Sequence, residues 1–63
     1  MQYCNRGSAR VSKGLLDDAI ADFNVAIKLD PKSAHPYFLL GHAKGQKGLQ
    51  DEAIAAFTEA IEA

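Results

Sequence analysis

The chain has 63 residues, a formal net charge of -1 and a hydrophobic fraction of 48%. This length allows one small domain with a marginal core, and the near-neutral charge gives no support to a nucleic-acid partner. No apolar run reaches the roughly 20 residues of a membrane helix, and the N-terminus lacks the apolar segment of a secretory signal. One cysteine cannot form an internal disulfide. We therefore expect a cytoplasmic protein that binds neither membranes nor nucleic acid.

Apolar and small residues recur at helical spacing from the start of the chain, which predicts a first helix over about 1–13. Tyr3, Gly7 and Val11 form its inner stripe. Because glycine costs a helix about 1 kcal/mol relative to alanine, we expect Gly7 to have a packing reason, the close approach of another helix. Gly14 then supplies the left-handed residue at which helices commonly end.

The second predicted helix, over about 16–29, has the clearest amphipathic pattern. Its inward stripe comprises Leu16, Ala19, Ile20, Phe23, Ala26 and Ile27. Asp17 and Asp18 fall in its first turn and Lys28 in its last, which matches the helix dipole. Pro31 ends the segment, because proline disfavours a helical residue before it and cannot extend a helix.

A third helix is predicted over about 34–47, with Ser33 as its N-cap and Pro36 in its first turn, where a missing N–H costs nothing. Gly48 is expected to end it. A fourth helix runs from about Gln50 to the end of the chain and repeats the second. Its predicted inward residues are Ala53, Ile54, Phe57, Ala60 and Ile61. These patterns predict an all-α fold.

The sequence contains an internal repeat with a fixed offset of 34 residues. Segments 1–29 and 35–63 align without a gap and share 13 identical pairs. Among these pairs are Tyr3 with Tyr37, Gly7 with Gly41, Ala19 with Ala53, Phe23 with Phe57 and Ala26 with Ala60. A register that holds without a gap indicates a repeat architecture, in which one helical hairpin is used twice.

These residues resemble the tetratricopeptide repeat, a helix–turn–helix unit of about 34 residues. Both copies have the aromatic, small and alanine residues where that family has them, and Pro31 closes the first unit. The resemblance implies two repeats, 1–33 and a truncated 34–63, which together form one domain. Its fold would be four antiparallel helices stacked as a short right-handed α-solenoid.

The first repeat departs from the family pattern, which usually has a large apolar residue at Arg6 and often an aromatic at Arg10. These arginines are four positions apart, as are Asp18 and Asp22 on the following helix. We therefore hypothesise an ion-pair cluster within the first hairpin. If partly exposed, each pair would contribute only about 0–1 kcal/mol.

The resemblance implies a non-enzymatic scaffold or adaptor that binds a peptide or partner protein on the concave face formed by the first helix of each repeat. By position, the implied groove comprises Cys4, Asn5, Ser8, Val11, Ser12, His35, Phe38, Leu39, His42 and Gln46. Phe38 and Leu39 are apolar without being required by the core, which favours a binding patch. Equally, they could cover a joint between repeats or a self-association surface.

A metal, cofactor or catalytic site is not expected. His35 and His42 are seven positions apart, about 10 Å along a helix, so one ion could not bind both in a regular helix. No coherent set of nucleophile, base and acid is present. The protein is therefore predicted not to be an enzyme.

Charge is segregated between the helices: the first helix of each repeat is basic and the second is acidic. This favours either a preference of the first-helix face for acidic peptides or attraction between neighbouring helices.

Two repeats without a capping helix would leave apolar stripes uncovered at both ends. On the last helix, the residues expected to face solvent in part are Ala56, Phe57, Ala60 and Ile61. We expect the chain to come from a longer array, and to form a homo-oligomer through these ends in concentrated solution.

Overall fold

The computed structural model describes residues 2–62, which form four α-helices. These are α1 (Gln2–Ser12), α2 (Leu16–Leu29), α3 (Ala34–Gln46) and α4 (Gln50–Glu62). The four predicted helices are confirmed, and the predicted ends differ from the observed ones by one residue at most. Met1 and Ala63, where the first helix was predicted to begin and the fourth to end, lie outside the described residues.

The turns inside the two hairpins are built in the same way. Gly14 and Gly48 have φ values of +79° and +88°, in the left-handed region that favours glycine. The residue after each glycine donates its N–H to the carbonyl oxygen five positions earlier, at 2.8 and 2.9 Å. This bond satisfies a carbonyl group at the end of the helix, so both predicted glycine stops are confirmed.

The connection between α2 and α3 agrees in part with the prediction made from the sequence. Helix α2 ends at Leu29, just before Asp30 and Pro31, as predicted. Ser33 lies at the N-cap position of α3 with an extended backbone, φ -81° and ψ 126°, but its side chain makes no capping hydrogen bond. Pro36 lies in the first turn and is fully buried. Ser33 is therefore the N-cap by position, as predicted, but its side chain does not form the hydrogen bond that an N-cap serine usually makes.

The helices form two layers, α1 with α3 and α2 with α4. Each helix packs against the next one in the chain and α1 also touches α3, whereas within residues 2–62 α2 and α4 make no contact. The Cα atoms span 13 Å in the thinnest direction, as expected for two layers whose axes lie about 8–10 Å apart. The predicted all-α solenoid of helix–turn–helix repeats is confirmed.

A glycine–phenylalanine contact closes each hairpin. A Cβ atom built on Gly7 would lie 2.5 Å from Cε1 of Phe23, and one built on Gly41 would lie 2.8 Å from the ring of Phe57. These separations are too short for any side chain, so the helices approach closely only because both positions are glycine. The predicted packing role of Gly7 is confirmed.

The core lies where α3 packs between α2 and α4. Its buried residues are Ala19, Phe23, Leu40, Ala43 and Ala56, and Val11, Ile20, Ile27 and Leu39 pack against them. Two predictions on α4 are wrong: Ile54, expected to face inward, is 62% exposed, and Ala56, expected to face solvent, is buried. Helix α4 turns its alanine face towards α3, because small side chains permit the closest approach.

The two ends of the stack differ. The large apolar side chains exposed in the described residues are Leu15, Val25, Leu29, Phe38, Ile54 and Ile61. None of them belongs to α1, whose exposed side chains are polar, charged or alanine. The predicted uncovered apolar stripe is therefore confirmed at α4, where Ile61 is 84% exposed, and is wrong for the described residues of α1.

Candidate functional site

Five of the predicted groove residues line one cavity between α1 and α3. Its volume is about 230 Å³, and its lining residues are Ser8, Val11, Ser12, Phe23, Leu39 and His42. We call it the first-helix groove. It is smaller than the roughly 300–1,000 Å³ of a typical small-molecule site. The groove can therefore accept one or two side chains of a larger partner.

The first-helix groove has an apolar floor and a polar rim. Val11 and Leu39 are half-buried and pack against the core. On the exposed rim, the hydroxyl of Ser12 donates to the carbonyl oxygen of Ser8 at 3.3 Å. Nε2–H of Gln46 donates to Nε2 of His42 at 2.8 Å. The floor can bury an apolar group while the rim offers donors and acceptors to a peptide backbone.

Cys4 does not belong to this groove, contrary to the prediction. Its side chain is only 3% exposed, because α1 packs against both α2 and α3 and Cys4 lies on the face turned towards them. Burial raises the pKa of the Cys4 thiol, which keeps it protonated. Asn5, its neighbour in the prediction, is exposed but does not line the cavity.

The other predicted groove residues, His35 and Phe38, line a different cavity, between α3 and α4. It has a volume of about 740 Å³, and its lining residues are Ala34, His35, Phe38, Phe57, Ala60 and Ile61. We call it the terminal groove. The ring of Phe38 is 56% exposed and lies 5.6 Å from that of Phe57, centroid to centroid, at an angle of 54°. Its α4 residues, Phe57, Ala60 and Ile61, belong to the stripe that was expected to face solvent in part, but the sequence did not predict that they share a cavity with His35 and Phe38.

Comparison with known families identifies the repeats. A family model described as TPR repeat matches residues 7–48, and one described as tetratricopeptide repeat matches residues 34–63. The chain belongs to the tetratricopeptide repeat family. The matches support two tandem repeats, as the resemblance implied. A comparison with curated proteins found no relative. Tetratricopeptide repeats are generally protein–protein interaction modules and typically non-catalytic scaffolds.

The first tetratricopeptide repeat contains an ion cluster where the family usually has apolar packing. Asp22 is 3% exposed. It accepts hydrogen bonds from Nη2 of Arg6 at 2.7 Å, from Nε of Arg6 at 3.1 and 3.2 Å, and from Nη1 of Arg10 at 2.8 Å. The predicted cluster is therefore confirmed for Asp22. It is wrong for Asp18, which is exposed and takes no part in it.

The arginines keep Asp22 ionised. The hydrogen bonds from Arg6 hold the pKa of the Asp22 carboxyl below its ordinary value against the opposing effect of burial, and the charge of Arg10 adds to this. The guanidinium of Arg6 also lies over the ring of Tyr3, 5.3 Å from its centroid. Arg6 therefore fills the position of an apolar residue while its charge is satisfied on both sides.

Basic residues of α1, of α3 and of the turn after α3 form ion pairs with acidic residues of α2 and α4. The pairs are Arg6 and Arg10 with Asp22, Lys44 with Glu52, and Lys47 with Asp17. These contacts support attraction between neighbouring helices as the reason for the charge segregation. They also leave less basic charge to attract an acidic peptide.

Neither metal-ligand clusters nor membrane spans occur in the part of the chain that the structure describes. Across residues 2–62, no three side chains of His, Cys, Asp or Glu come together as metal ligands would. None of the helices formed by these residues is long and apolar enough to cross a membrane.

Proposed function

We propose that this chain is a protein-interaction module whose two repeats, 1–33 and 34–63, act together as a scaffold or adaptor. In this proposal, an extended segment of a partner protein binds in the first-helix groove. The observation that carries the proposal is the cavity between α1 and α3, whose floor is apolar and whose rim is polar. Val11 and Leu39 would contact an apolar side chain of the peptide, while Ser8, Ser12 and His42 would hydrogen-bond to its backbone.

The chemistry of the lining indicates what kind of segment would fit. None of the lining residues is Lys, Arg, Asp or Glu. Four basic side chains elsewhere, three on α1 and α3 and one just after α3, form pairs with acidic residues of this chain. The proposed ligand is therefore an uncharged segment with one medium-sized apolar side chain, and its specificity comes from shape and backbone hydrogen bonds.

A peptide selection tests this proposal. A displayed library of short random peptides is selected on the chain, and the bound position is mapped by amide chemical shifts. Filling the groove with the double substitution Ser8→Gln and Ser12→Gln should weaken the selected peptides by about tenfold, because an ordered polar contact and the space around it are both lost. The matched control, Asn24→Gln, changes an exposed residue of α2 and should bind as the wild type does. Equal binding to both variants would contradict the proposal.

An alternative function is structural: the chain would assemble with its own copies through an uncovered end. The exposure of Ile54 and Ile61 favours this alternative at the α4 end. Sedimentation velocity over a concentration series, with circular dichroism on the same samples, separates the two functions. A helical monomer at every concentration supports the peptide-binding function, and a dimer that loses helix on dilution supports the structural one.

A further inference from the structure

A third cavity lies between α3 and α4, and its residues have counterparts in the first hairpin. Its volume is about 340 Å³. We call it the tyrosine groove, and the lining residues that matter here are Tyr37, Leu40, Lys44, Glu52, Ala56 and Glu59. None of them lines the terminal groove or the first-helix groove. The tyrosine groove is therefore a separate surface of the molecule.

The tyrosine groove is not the surface on which a further repeat would stack. Helix α3 packs on the side of α2 that presents Phe23 and Ile27. At the repeat offset, the α4 residues of the tyrosine groove correspond to another side of α2, with Asp22 and Val25. A helix that packed on α4 as α3 packs on α2 would therefore leave this groove open.

In the first hairpin, an arginine occupies the corresponding place. The guanidinium of Arg6 lies over the ring of Tyr3, 5.3 Å from its centroid. Nη2 of Arg6 also donates to the carboxylate of Asp22 at 2.7 Å. A tyrosine ring on one side and a carboxylate on the other thus hold one guanidinium at the surface of the hairpin.

The second hairpin keeps the tyrosine and lacks the arginine. Tyr37, the equivalent of Tyr3, is half-buried and lines the groove. Leu40 stands at the position of Arg6 and is buried. The cavity therefore lies beside the second tyrosine, where the first hairpin has the guanidinium of its own arginine.

A carboxylate is available in the tyrosine groove as well. Glu59 lines the groove and is exposed, and across residues 2–62 it takes part in none of the ion pairs. The other two charged lining residues, Lys44 and Glu52, pair with each other at 3.1 Å. The charge that the groove offers to a ligand is therefore the negative charge of Glu59, which attracts a cation.

The arginines of a second copy are a poor source of that cation. The chain has two arginines, Arg6 and Arg10, and both are paired with Asp22. An arginine that left this pair to enter a neighbouring molecule would leave the buried Asp22 with fewer partners, which is unfavourable. The arginine that fits the groove therefore comes from a different protein.

We propose that the tyrosine groove binds an arginine side chain of a partner protein. The guanidinium stacks on the ring of Tyr37 and donates to the carboxylate of Glu59, while the methylene groups pack on Leu40 and Ala56. Arginine is preferred over lysine, because its planar and weakly hydrated guanidinium stacks on an aromatic ring and donates from several N–H groups. This site is independent of the peptide bound in the first-helix groove.

Three small probes test the proposal: the N-acetyl amides of arginine, of lysine and of citrulline, which has the shape of arginine without its charge. Amide chemical shifts of the 63-residue chain follow each titration at physiological ionic strength. A single side chain should bind in the millimolar range. The arginine amide should shift the signals of Tyr37, Ala56 and Glu59. The lysine amide should bind about threefold more weakly, and the citrulline amide about tenfold more weakly.

Matched variants locate the site. Glu59→Gln should weaken the arginine amide by about fivefold, because the charge-assisted hydrogen bond is lost. Asp51→Asn removes the same charge from an exposed residue of the same helix outside the groove, and should have no effect. Ala55→Arg should block the groove, since Ala55 is an exposed lining residue and the introduced side chain can pair with Glu59 four positions later. Circular dichroism verifies that each variant is folded.

Equal binding of the arginine and citrulline amides would overturn the proposal, and so would equal effects of Glu59→Gln and Asp51→Asn. Lysine binding as tight as arginine would contradict the stacking on Tyr37. A dimer that sedimentation detects and that Glu59→Gln weakens would make a second copy the ligand, which also contradicts the proposal. The double variant Ser8→Gln and Ser12→Gln should bind the arginine amide as the wild type does, so failure at the first-helix groove is read separately.

Discussion

The two hairpins share a backbone arrangement, but their helices meet through different chemistry. In the first, Arg6 and Arg10 of α1 donate hydrogen bonds to the buried Asp22 of α2. In the second, the positions of Arg6 and Asp22 are occupied by Leu40 and Ala56, both 6% exposed. A charged pair and an apolar pair fit the same place only because both members change together. Leu in place of Arg6 would leave the buried Asp22 with one arginine instead of two, and Asp in place of Ala56 would place a carboxylate against Leu40, so each single exchange should destabilise its hairpin.

The hairpins also differ in what covers them. Helix α3 packs on the first hairpin and buries Phe23 completely, whereas in residues 2–62 no helix packs on the outer side of α4, and Phe57 is only half-buried. Equivalent residues therefore contribute unequally to stability.

The largest difference is expected between the two phenylalanines. Phe23→Ala should cost about 3–5 kcal/mol, because it removes a fully buried ring. This is close to all the stability that a core of this size can supply, so the variant should be unfolded. Phe57→Ala should cost less, since part of its ring already contacts water. Urea unfolding followed by circular dichroism measures both, and equal losses would show that the α4 end is as well covered as α2.

The ion cluster can be moved into the second hairpin. Ala56→Asp alone should be destabilising, because it buries a carboxylate against Leu40 and the one basic residue beside it, Lys44 at the position of Arg10, is already paired with Glu52. Adding Leu40→Arg should restore much of this loss, since the offset places the new arginine where Arg6 stands in the first hairpin. A double-mutant cycle of unfolding free energies gives the coupling between the two positions. A double variant as unstable as Ala56→Asp would contradict the equivalence of the hairpins.

Acid should act on the first hairpin more than on the second. The pKa of Asp22 in the folded chain lies below the ordinary value of 3.8, so the folded state binds a proton there less readily than the unfolded state. Its contribution to stability is complete above that value and is lost as the pH falls through the lower folded-state pKa.

Comparison with Asp22→Asn isolates this contribution. The wild type should lose more unfolding free energy between about pH 5 and about pH 2 than the variant, because the variant has no carboxyl to protonate. Urea unfolding at several pH values measures the difference. The same loss in both proteins would show that Asp22 does not contribute to the acid sensitivity.

The smallest effect is expected at the turns, where the hairpins are alike. Gly14→Ala and Gly48→Ala should each cost about 1–2 kcal/mol, because alanine is strained at a positive φ. No atom lies within 4 Å of a Cβ at either site, so steric overlap adds nothing. Thermal unfolding should give similar losses for the two variants. A clear difference would mean that the turns are less equivalent than their backbone angles indicate.

Features that depend on local sequence were predictable. The helices follow from apolar spacing, and the packing role of Gly7 follows from its low helix propensity at the same place in both copies. Features that depend on a neighbouring helix were not predictable in this way. Cys4 and Phe38 occupy equivalent positions, yet Cys4 is buried and Phe38 is 56% exposed. A repeat pattern gives each position its place within the hairpin, but the burial of its side chain depends on what packs beside that hairpin.

In the ion cluster, too, the sequence could not predict which residue would contact the neighbouring helix. Asp18 and Asp22 are both carboxylates and lie four positions apart on α2. Only Asp22 reaches the arginines of α1. Residues four apart lie on nearly the same face of a helix but about 6 Å apart along its axis, so the position of α2 along α1 decides which carboxylate reaches the arginines. Sequence spacing restricts the choice to two residues, and packing selects one.

The contacts between the helices also determine how the molecule opens. Helix α4 contacts α3 and, within the described residues, no other helix. It can therefore detach without breaking any contact between α1 and α2, as expected for a stack in which each unit contacts only its neighbours. Amide hydrogens of α4 should then exchange with solvent before those of α2, whose residues contact helices on two sides. We therefore expect the end helix α4 to open before α2.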